Sequence, residues 1–404
     1  MAPPILPVLS FIAAGTLALA FRSKLTDWAV SLLGLALLVK IALDGVEGPV
    51  GEVWIFGMAV SGLVVKFWNY VLVLAPGDLQ YSSTRSARRD SSRRVGQSAK
   101  KVKQAVSLAQ SAWDRLLDGL DLMLCGRGIG RKFELRSLYR HHQAPPRAGI
   151  FVCQQIYGAA WRFLILDLLR YLLCKTPLAS RTEHQLLRGP LDYGVLVTIA
   201  FGAFVWQWTR WRMEFQYQLA CILGVSLGWG TPADWPPIFG SWKQAWSVRR
   251  CWSHAWHHNL RLQTEPPTNW FVRDVCGAQG KSAFAKYGRV AGVFLVACVI
   301  HMYGRLLAGA DLRVDGNYFF GQCVLIVVED WFQSMVYRNG WIGEDSKVGV
   351  WGGYVWTFVV QCWTIAWWTD ELVRKGWLAE PVFNVSVVDV VVPWLQGQFG
   401  QKAY

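Results

Sequence analysis

The stretch YGRVAGVFLVACVIHMYGRLL, residues 287–307, decides the fold class of this chain. Arg289 and Arg305 lie near its ends. Between them, His301 is the one side chain that titrates near neutral pH. A helix of this length crosses a bilayer hydrocarbon core of about 30 Å. The stretch therefore predicts a transmembrane helix with a histidine in its apolar part.

Seven further segments are also long and apolar enough to cross a membrane as a helix. They are residues 4–21, 27–44, 53–75, 190–209, 212–229, 317–337 and 350–369. A ninth candidate, residues 151–174, contains three charged side chains, each of which costs about 2.5–3.5 kcal/mol at the centre of a membrane helix. It either spans with its charges facing a cavity, or lies at the interface or re-enters. We predict an all-α, multi-pass transmembrane protein with about 8–9 membrane helices and additional interfacial amphipathic helices.

Composition agrees with a membrane protein. Hydrophobic residues make up 53% of the chain and charged residues 17%, against about 25% charged residues in soluble domains. The 24 tryptophans suit the interfacial belts of a membrane protein. The nine cysteines form no C-x-x-C pair, so no disulfide or zinc framework is predicted. A soluble enzyme, a secreted disulfide scaffold and a disordered chain are excluded.

The basic residues predict the orientation. Residues 85–103 carry five Arg and three Lys against one Asp, and the positive-inside rule places such a loop in the cytosol. The basic loop 230–286 should lie on the same side, which requires an even number of crossings between the two. Segments 190–209 and 212–229 supply them, so 151–174 is expected not to cross fully. The turn between those two segments would then be lumenal, although it carries Arg210 and Arg212.

His301 is the first candidate for chemistry. An ionisable side chain within a membrane span is costly and is by default a functional hypothesis. A neutral imidazole in a dry site can act as a general base. The alternative is a histidine that hydrogen-bonds a neighbouring helix for packing.

The second candidate is the run Phe239 to Arg261. Trp252 and Trp256 are four residues apart, as are His254 and His258, so on a helix each pair would share a face. An interfacial amphipathic helix accounts for the Trp and Arg residues but not for three histidines. The H-x-x-H-H pattern of this run is also used by di-iron desaturases and hydroxylases, which carry three such boxes. The remaining histidines are His141, His142, His184 and His301, and they form no second box.

Two weaker features complete the set. Cys125-Gly126-Arg127-Gly128-Ile129-Gly130 is a short glycine-rich stretch that could cradle an anion. Glu329 and Asp330 lie beside Trp331, an arrangement suited to a proton donor in an aromatic pocket, as in a membrane terpene cyclase, or to an interfacial helix end.

Three motifs resemble the wax synthase-like branch of the membrane-bound O-acyltransferases, and especially fungal acetyltransferases of secondary-metabolite pathways. Arg127-Gly128-Ile129-Gly130 looks like the R-G-I-G stretch of that family. The run 239–261 is similar to its F-W-x-x-x-W-H-x-x-L-R motif, and His301 matches its membrane-embedded histidine. Cys251 replaces the usual aromatic residue and His254 the usual Arg. The resemblance covers residues from about 120 to 370.

The resemblance implies acyl transfer from an acyl-CoA, here acetyl-CoA, to a hydroxyl of an apolar terpenoid, meroterpenoid or polyketide, without a metal and without nucleic acid as a partner. His301 would be the base, and His257 or Asn259 would orient the thioester or stabilise its oxyanion. The residues predicted to bind the co-substrate are Lys243, Arg249, Arg250, Trp252, Trp256 and Arg261. The alternatives are a long-chain wax ester synthase, a membrane terpene cyclase, a His-box di-iron hydroxylase or desaturase, and a transporter or scaffold.

We divide the chain into N-terminal membrane helices (1–76), a basic cytosolic segment with an amphipathic helix over Val102–Leu122 (77–150), and a catalytic acyltransferase membrane domain (151–404). The expected location is the endoplasmic reticulum, with loops 77–150 and 230–286 cytosolic and residues 370–404 lumenal. The sequon at Asn384 would then be open to glycosylation.

Overall fold

A computed structural model describes residues 4–74, 79, 103–124, 128–129, 131, 147–175, 190–278, 280, 282–341, 343, 346–382 and 386–393. Every regular element in these ranges is a helix, which confirms the all-α prediction. The basic stretch 82–102, most of the Arg127 to Gly130 motif, the His141-His142 pair, His184 and the sequon at Asn384 lie outside the described residues.

The helices, in chain order, are α1 (Ile5–Ala20), α2 (Lys24–Asp44), α3 (Val50–Trp68), α4 (Lys103–Leu124), α5 (Ala148–Lys175), α6 (Val195–Ser226), α7 (Val248–Arg250), α8 (Arg261–Trp270), α9 (Ala283–Leu307), α10 (Leu312–Arg338) and α11 (Lys347–Arg374). Single π-helical turns extend three of them, over Asn69–Val73, Cys251–Ala255 and Phe271–Val275. Helix α4 coincides with the helix predicted over Val102–Leu122.

Five of the described helices are long and apolar enough to cross a membrane. They are α2, α3 with its π turn, α5, α9 and α10, and α1 is a shorter apolar helix. Large apolar side chains such as Leu295 and Val299 of α9 remain exposed, as expected for surfaces that face lipid. These helices support an integral membrane protein, but the predicted number of about 8–9 spans is not confirmed.

The predicted turn between segments 190–209 and 212–229 is wrong. Most of both segments lies in the single 32-residue helix α6, and Arg210 and Arg212 lie inside it. No glycine or proline lies within residues 203–223, and arginine is a good helix former. Arg210 also pairs with Glu214 one turn later, at 3.2 Å. The supposed lumenal pair of arginines is therefore a pair of helix-interior residues.

The three charged side chains in the apolar part of helix α5 all form ion pairs. Arg162 contacts Glu214 of α6 at 2.6 Å, and Arg170 contacts Asp167 at 3.2 Å and Asp389 at 2.6 Å. Paired charges are the form in which ionisable residues are tolerated in membrane helices. Helix α5 is one of the five described helices that are long and apolar enough to cross a membrane, which leaves the expectation of a partial crossing by 151–174 without support.

The described residues fall into two compact units. The first comprises Met1–Gly48, Val53–Ser137 and His258–Cys323. The second comprises Pro49–Glu52, Leu138–His257 and Val324–Tyr404.

In the first unit, α3 packs closely against α9. A Cβ atom on Gly57 would lie 2.6 Å from the Cα of Gly304, so the two glycines let the backbones approach. The hydroxyl of Ser61 donates to the carbonyl of Ile300 at 3.2 Å. This contact fixes the helix that carries His301.

In the second unit, α6 packs against α5 and α11. The indole of Trp206 donates to the carbonyl of Gln361 at 3.0 Å, and Gly202 lies against the carbonyl of Cys362. Helix α6 also contacts the loop that follows it, because Arg210 donates to the carbonyl of Gly240 at 3.3 Å.

Candidate active site

His301 lies on α9, six residues before the last residue of the helix, Leu307. Its Nδ1 is 2.7 Å from the carbonyl oxygen of Ala297, one turn earlier. A carbonyl oxygen only accepts, so Nδ1 carries the hydrogen of the neutral ring and Nε2 is the basic nitrogen. The backbone thus selects the tautomer of the candidate base.

Helix α10 covers one side of this histidine. The ring of Phe319 lies 4.9 Å from the His301 ring. One turn after His301, Nε of Arg305 donates to the Asp315 carboxylate at 3.1 Å, and both side chains have 0% exposure. Arg305 and Asp315 are not among the residues predicted from sequence. The four-residue spacing of His301 and Arg305 could have indicated Arg305, whereas Asp315 is identified only by its contact in the structure.

The run 239–261 does not form the single helix that its spacing suggests. Helix α7 and its π turn end at Ala255, and Trp256 has extended backbone angles of φ −76° and ψ 168°. The prediction that Trp252 and Trp256, and His254 and His258, share helical faces is therefore wrong. The physical reason is that Trp256 leaves the helix to pack against rings from elsewhere in the second unit.

Those rings form an aromatic cluster, which consists of Trp206, Phe239, Trp242, Trp252 and Trp256. Trp256 is at its centre, with ring centroids 3.9 Å from Trp206, 5.1 Å from Phe239 and 6.3 Å from Trp252. Stacked and edge-on aromatic contacts add to the free energy gained from burial. The ring of Trp206 contacts those of Trp242, Trp252 and Trp256. Trp206 is absent from the predicted site because it lies 50 residues before Trp256 in the sequence.

The cluster positions His257. The imidazole lies 5.9 Å from the Phe239 ring, at 90°, and 5.4 Å from the Trp256 ring. Asn259, half-buried, follows in the turn before α8 and belongs to the first unit with His301, whereas His257 belongs to the second. Among the described residues, no group of three His, Cys, Asp or Glu side chains is arranged to hold a metal ion.

Arg210 ties the aromatic cluster to α6. Its guanidinium lies 4.9 Å from the Phe239 ring centre and 5.0 Å from that of Trp242. It also donates to the carbonyl of Gly240 at 3.3 Å and to Glu214 at 3.2 Å. The sequence-based prediction of Arg210 as a loop residue concealed this role.

Glu329 and Asp330 anchor α7. The Glu329 carboxylate accepts from the backbone N–H groups of Val248, at 2.9 Å, and Arg249, at 3.3 Å. Asp330 pairs with the Arg249 guanidinium at 2.6 Å. A carboxylate at the start of a helix satisfies N–H groups that have no partner within it. Both acids are thus engaged with α7, which favours an anchoring role over proton donation in a terpene cyclase.

The four predicted basic residues differ in their partners. Arg249 is paired with Asp330, and Arg261 with Glu265 at 3.4 Å. Arg250 stacks on the Trp246 ring at 3.6 Å and donates through Nε to a backbone carbonyl, and Lys243 is exposed. Within the described residues, neither Arg250 nor Lys243 forms an ion pair with a carboxylate.

Cys251, which stands where the resembling motif has an aromatic residue, is a packing residue. It is 2% exposed, and burial raises the pKa of its thiol to about 12. The reactive thiolate is therefore scarce at ordinary pH. At pH 8, we expect iodoacetamide to label the exposed Cys276 and to leave Cys251 unmodified in the folded protein. Peptide mass spectrometry gives the answer, and rapid labelling of Cys251 would contradict its burial.

Comparison with known proteins places these residues in a family context. Residues 235–322 match the model of the membrane bound O-acyl transferase family. The matched stretch contains His257, Asn259 and His301. No solved structure matches the chain at a significant level.

Similar proteins are acetyltransferases of fungi. The chain is 27% identical over 271 residues to acetyltransferase ple2 of Rhodocybe pseudopiperita, covering 66% of each chain. It is 25% identical over 261 residues to acetyltransferase ataH of Aspergillus terreus, covering 60% of this chain and 84% of that relative. It is 25% identical over 371 residues to acetyltransferase atnC of Arthrinium sp, covering 85% and 82%. These similarities support a membrane acyltransferase enzyme.

Proposed function

We propose that this protein transfers an acetyl group from acetyl-CoA to a hydroxyl of an apolar secondary metabolite, such as a terpenoid, meroterpenoid or polyketide. The observation that carries the proposal is the family match over residues 235–322, which contains His257, Asn259 and His301. The names of the fungal relatives support acetyl as the group transferred. The location we propose is the endoplasmic reticulum, with the loop 230–286 in the cytosol, where acyl-CoA is found.

His301 is the general base in this proposal. Its Nε2 takes the proton of the acceptor hydroxyl as the alcohol oxygen attacks the thioester carbon. The C–S bond then breaks, and the CoA thiolate takes the proton from the imidazolium. A positioned base of this kind contributes about 10²–10⁴-fold to the rate. The hydrogen bond from Nδ1 to Ala297 supports the assignment, since it directs the lone pair to Nε2.

The developing oxyanion needs a donor. His257 and Asn259 are the proposed candidates, because an imidazole N–H or an amide N–H can stabilise negative charge on a carbonyl oxygen. The aromatic cluster supports a role for His257, since it holds the ring between Phe239 and Trp256. Trp252 and Trp256 would then contribute to co-substrate binding by shaping this loop.

Lys243 and Arg250 are the strongest candidates for contacts with the CoA phosphates. Supporting this assignment, neither forms an ion pair with a carboxylate among the described residues, whereas Arg249 and Arg261 are each paired with one. A charge-assisted contact with phosphate is stronger than a neutral hydrogen bond. Arg249 and Arg261 would instead hold the segments on either side of His257.

We therefore expect Lys243→Ala and Arg250→Ala each to raise the KM for acetyl-CoA by about 10-fold or more, with kcat little changed, because a hydrogen bond to a charged group is worth roughly 1.5–3 kcal/mol. Arg273→Ala is the control, since Arg273 is an exposed arginine of the same basic loop whose guanidinium is already paired with Asp274. Steady-state kinetics at two ionic strengths check the expectation. An equal rise in KM for the control would indicate a general surface charge effect and remove the specific assignment.

The proposed function is tested with microsomes that contain the protein, labelled acetyl-CoA and a panel of hydroxylated terpenoids and polyketides. Label in an organic-soluble ester supports the proposal. Transfer only with palmitoyl-CoA and a fatty alcohol would support the alternative of a wax ester synthase. No transfer with either donor would overturn both.

A further inference from the structure

We propose that the buried ion pair between Arg305 and Asp315 is a positioning device for His301, the base of the proposed function on which this inference rests. Arg305 lies one turn after His301 on α9, and Asp315 lies on the following helix, α10. All three residues belong to the first unit.

The two helices make two successive cross-contacts. In one, Nε of Arg305 donates to Asp315 at 3.1 Å. In the other, the Phe319 ring packs 4.9 Å from the ring of His301. Residues four apart lie on the same face of a helix, one turn from each other. Arg305 is one turn from His301 on α9, and Asp315 is one turn from Phe319 on α10, so the two contacts are adjacent. The ion pair therefore sets the register in which Phe319 meets the imidazole.

A contribution to the stability of the fold does not explain why this buried ion pair is present. Both side chains have 0% exposure, and removing two charges from water costs free energy that their attraction only partly returns. Apolar residues of similar volume would pack these helices as well. Ionisable groups retained in buried membrane helices instead indicate function. Here the charged pair lies one turn from the only histidine of the described membrane helices.

The mode of action is geometric. His301 acts as a base only when its ring holds the orientation in which Nδ1 donates to Ala297. Phe319 blocks one side of the ring, so a shift of α10 along α9 would release the imidazole into other rotamers. A misplacement of about 1 Å at a reacting group can lower a rate about 100-fold. The ion pair resists that shift because its hydrogen bond has a fixed geometry.

The test compares Asp315→Asn with Asp315→Glu in the full-length protein in microsomes or detergent. Rates are expressed per folded molecule, measured by size-exclusion chromatography. We expect Asp315→Asn to lower kcat about 100-fold and to leave the KM for acetyl-CoA within about twofold. Asp315→Glu keeps the charge but moves the carboxylate by one methylene, so its kcat should fall between those of Asp315→Asn and the wild type.

A matched control separates positioning from folding. Arg131 is another arginine of the first unit with no exposure, and it pairs with Asp118 at 3.0 Å and Asp121 at 2.6 Å. The double variant Asp118→Asn/Asp121→Asn should lower thermal stability but keep the wild-type kcat per folded molecule. If Asp315→Asn does not fold, Asp315→Glu decides by the same criterion.

Two results would overturn the inference: wild-type kcat in every folded Asp315 variant, or an equal loss of kcat in the Arg131 control. Failure of the proposed function looks different. In that case the wild type transfers no acetyl group, or His301→Ala retains turnover whatever stands at position 315.

Discussion

His301→Ala is expected to lower acetyl transfer by about 10²–10⁴-fold, the usual contribution of a general base. The imidazole is half-buried on α9, and its Nδ1 is engaged with the carbonyl of Ala297. Alanine keeps the helix and removes the basic nitrogen. Turnover with labelled acetyl-CoA, normalised to folded protein, measures the effect.

A second substitution separates a base from a packing residue. His301→Gln retains a side chain that can donate to Ala297 but has no basic nitrogen, so it should be as inactive as His301→Ala. His254→Ala is the control, because His254 is a half-buried histidine whose Nδ1 contacts Ser253 at 2.6 Å. Near-wild-type turnover by His301→Gln would show that the residue serves packing.

Trp256→Ala is expected to destabilise the second unit strongly. The indole is 6% exposed and contacts Trp206 with a centroid separation of 3.9 Å. Replacing a buried tryptophan by alanine costs roughly 3–5 kcal/mol. Since the same ring flanks His257, acetyl transfer should fall together with the thermal midpoint of the protein.

The control for this prediction is another tryptophan of the same unit. Trp331 on α10 is 65% exposed, as expected for a side chain that faces lipid, so Trp331→Ala should leave both the thermal midpoint and turnover close to those of the wild type. A Trp256→Ala protein with wild-type stability would mean that the aromatic cluster does not hold the loop.

The sequence predicts the helices well where hydropathy and chain length agree. Residues 287–307 lie within α9, and residues 27–44 lie within α2. The prediction from sequence fails at Arg210 and Arg212, where two charged residues in an apolar region suggest a loop between two helices. There the charge of Arg210 is compensated by Glu214, and that pairing depends on which residues are neighbours in space.

The residues of the candidate site also fall into those that the sequence predicts and those that only the structure identifies. His301 and His257 are visible as histidines in an unusual context, whereas Trp206 becomes part of the site only through the fold. The four-residue spacing of Trp252 and Trp256 predicts a shared helical face, but the packing of Trp256 on Trp206 outweighs local helix propensity. Similarly, the sequence presents Arg249 and Arg250 as equivalent, whereas the structure pairs Arg249 with Asp330 and stacks Arg250 on a tryptophan ring.

The π turn over Cys251–Ala255 has a consequence for insertions and deletions. The N–H of Trp256 bonds the carbonyl of Cys251 at 2.8 Å, so this turn closes over five residues instead of four. Removing one residue from it would restore an ordinary α-helical turn and rotate everything that follows by about 100°. Trp256 would then point away from Trp206, although Trp252, Trp256 and His257, the residues that the motif specifies here, would all remain. In chimaeras or redesigned versions of this enzyme, the number of residues between Ser247 and Trp256 therefore has to be preserved along with their identity.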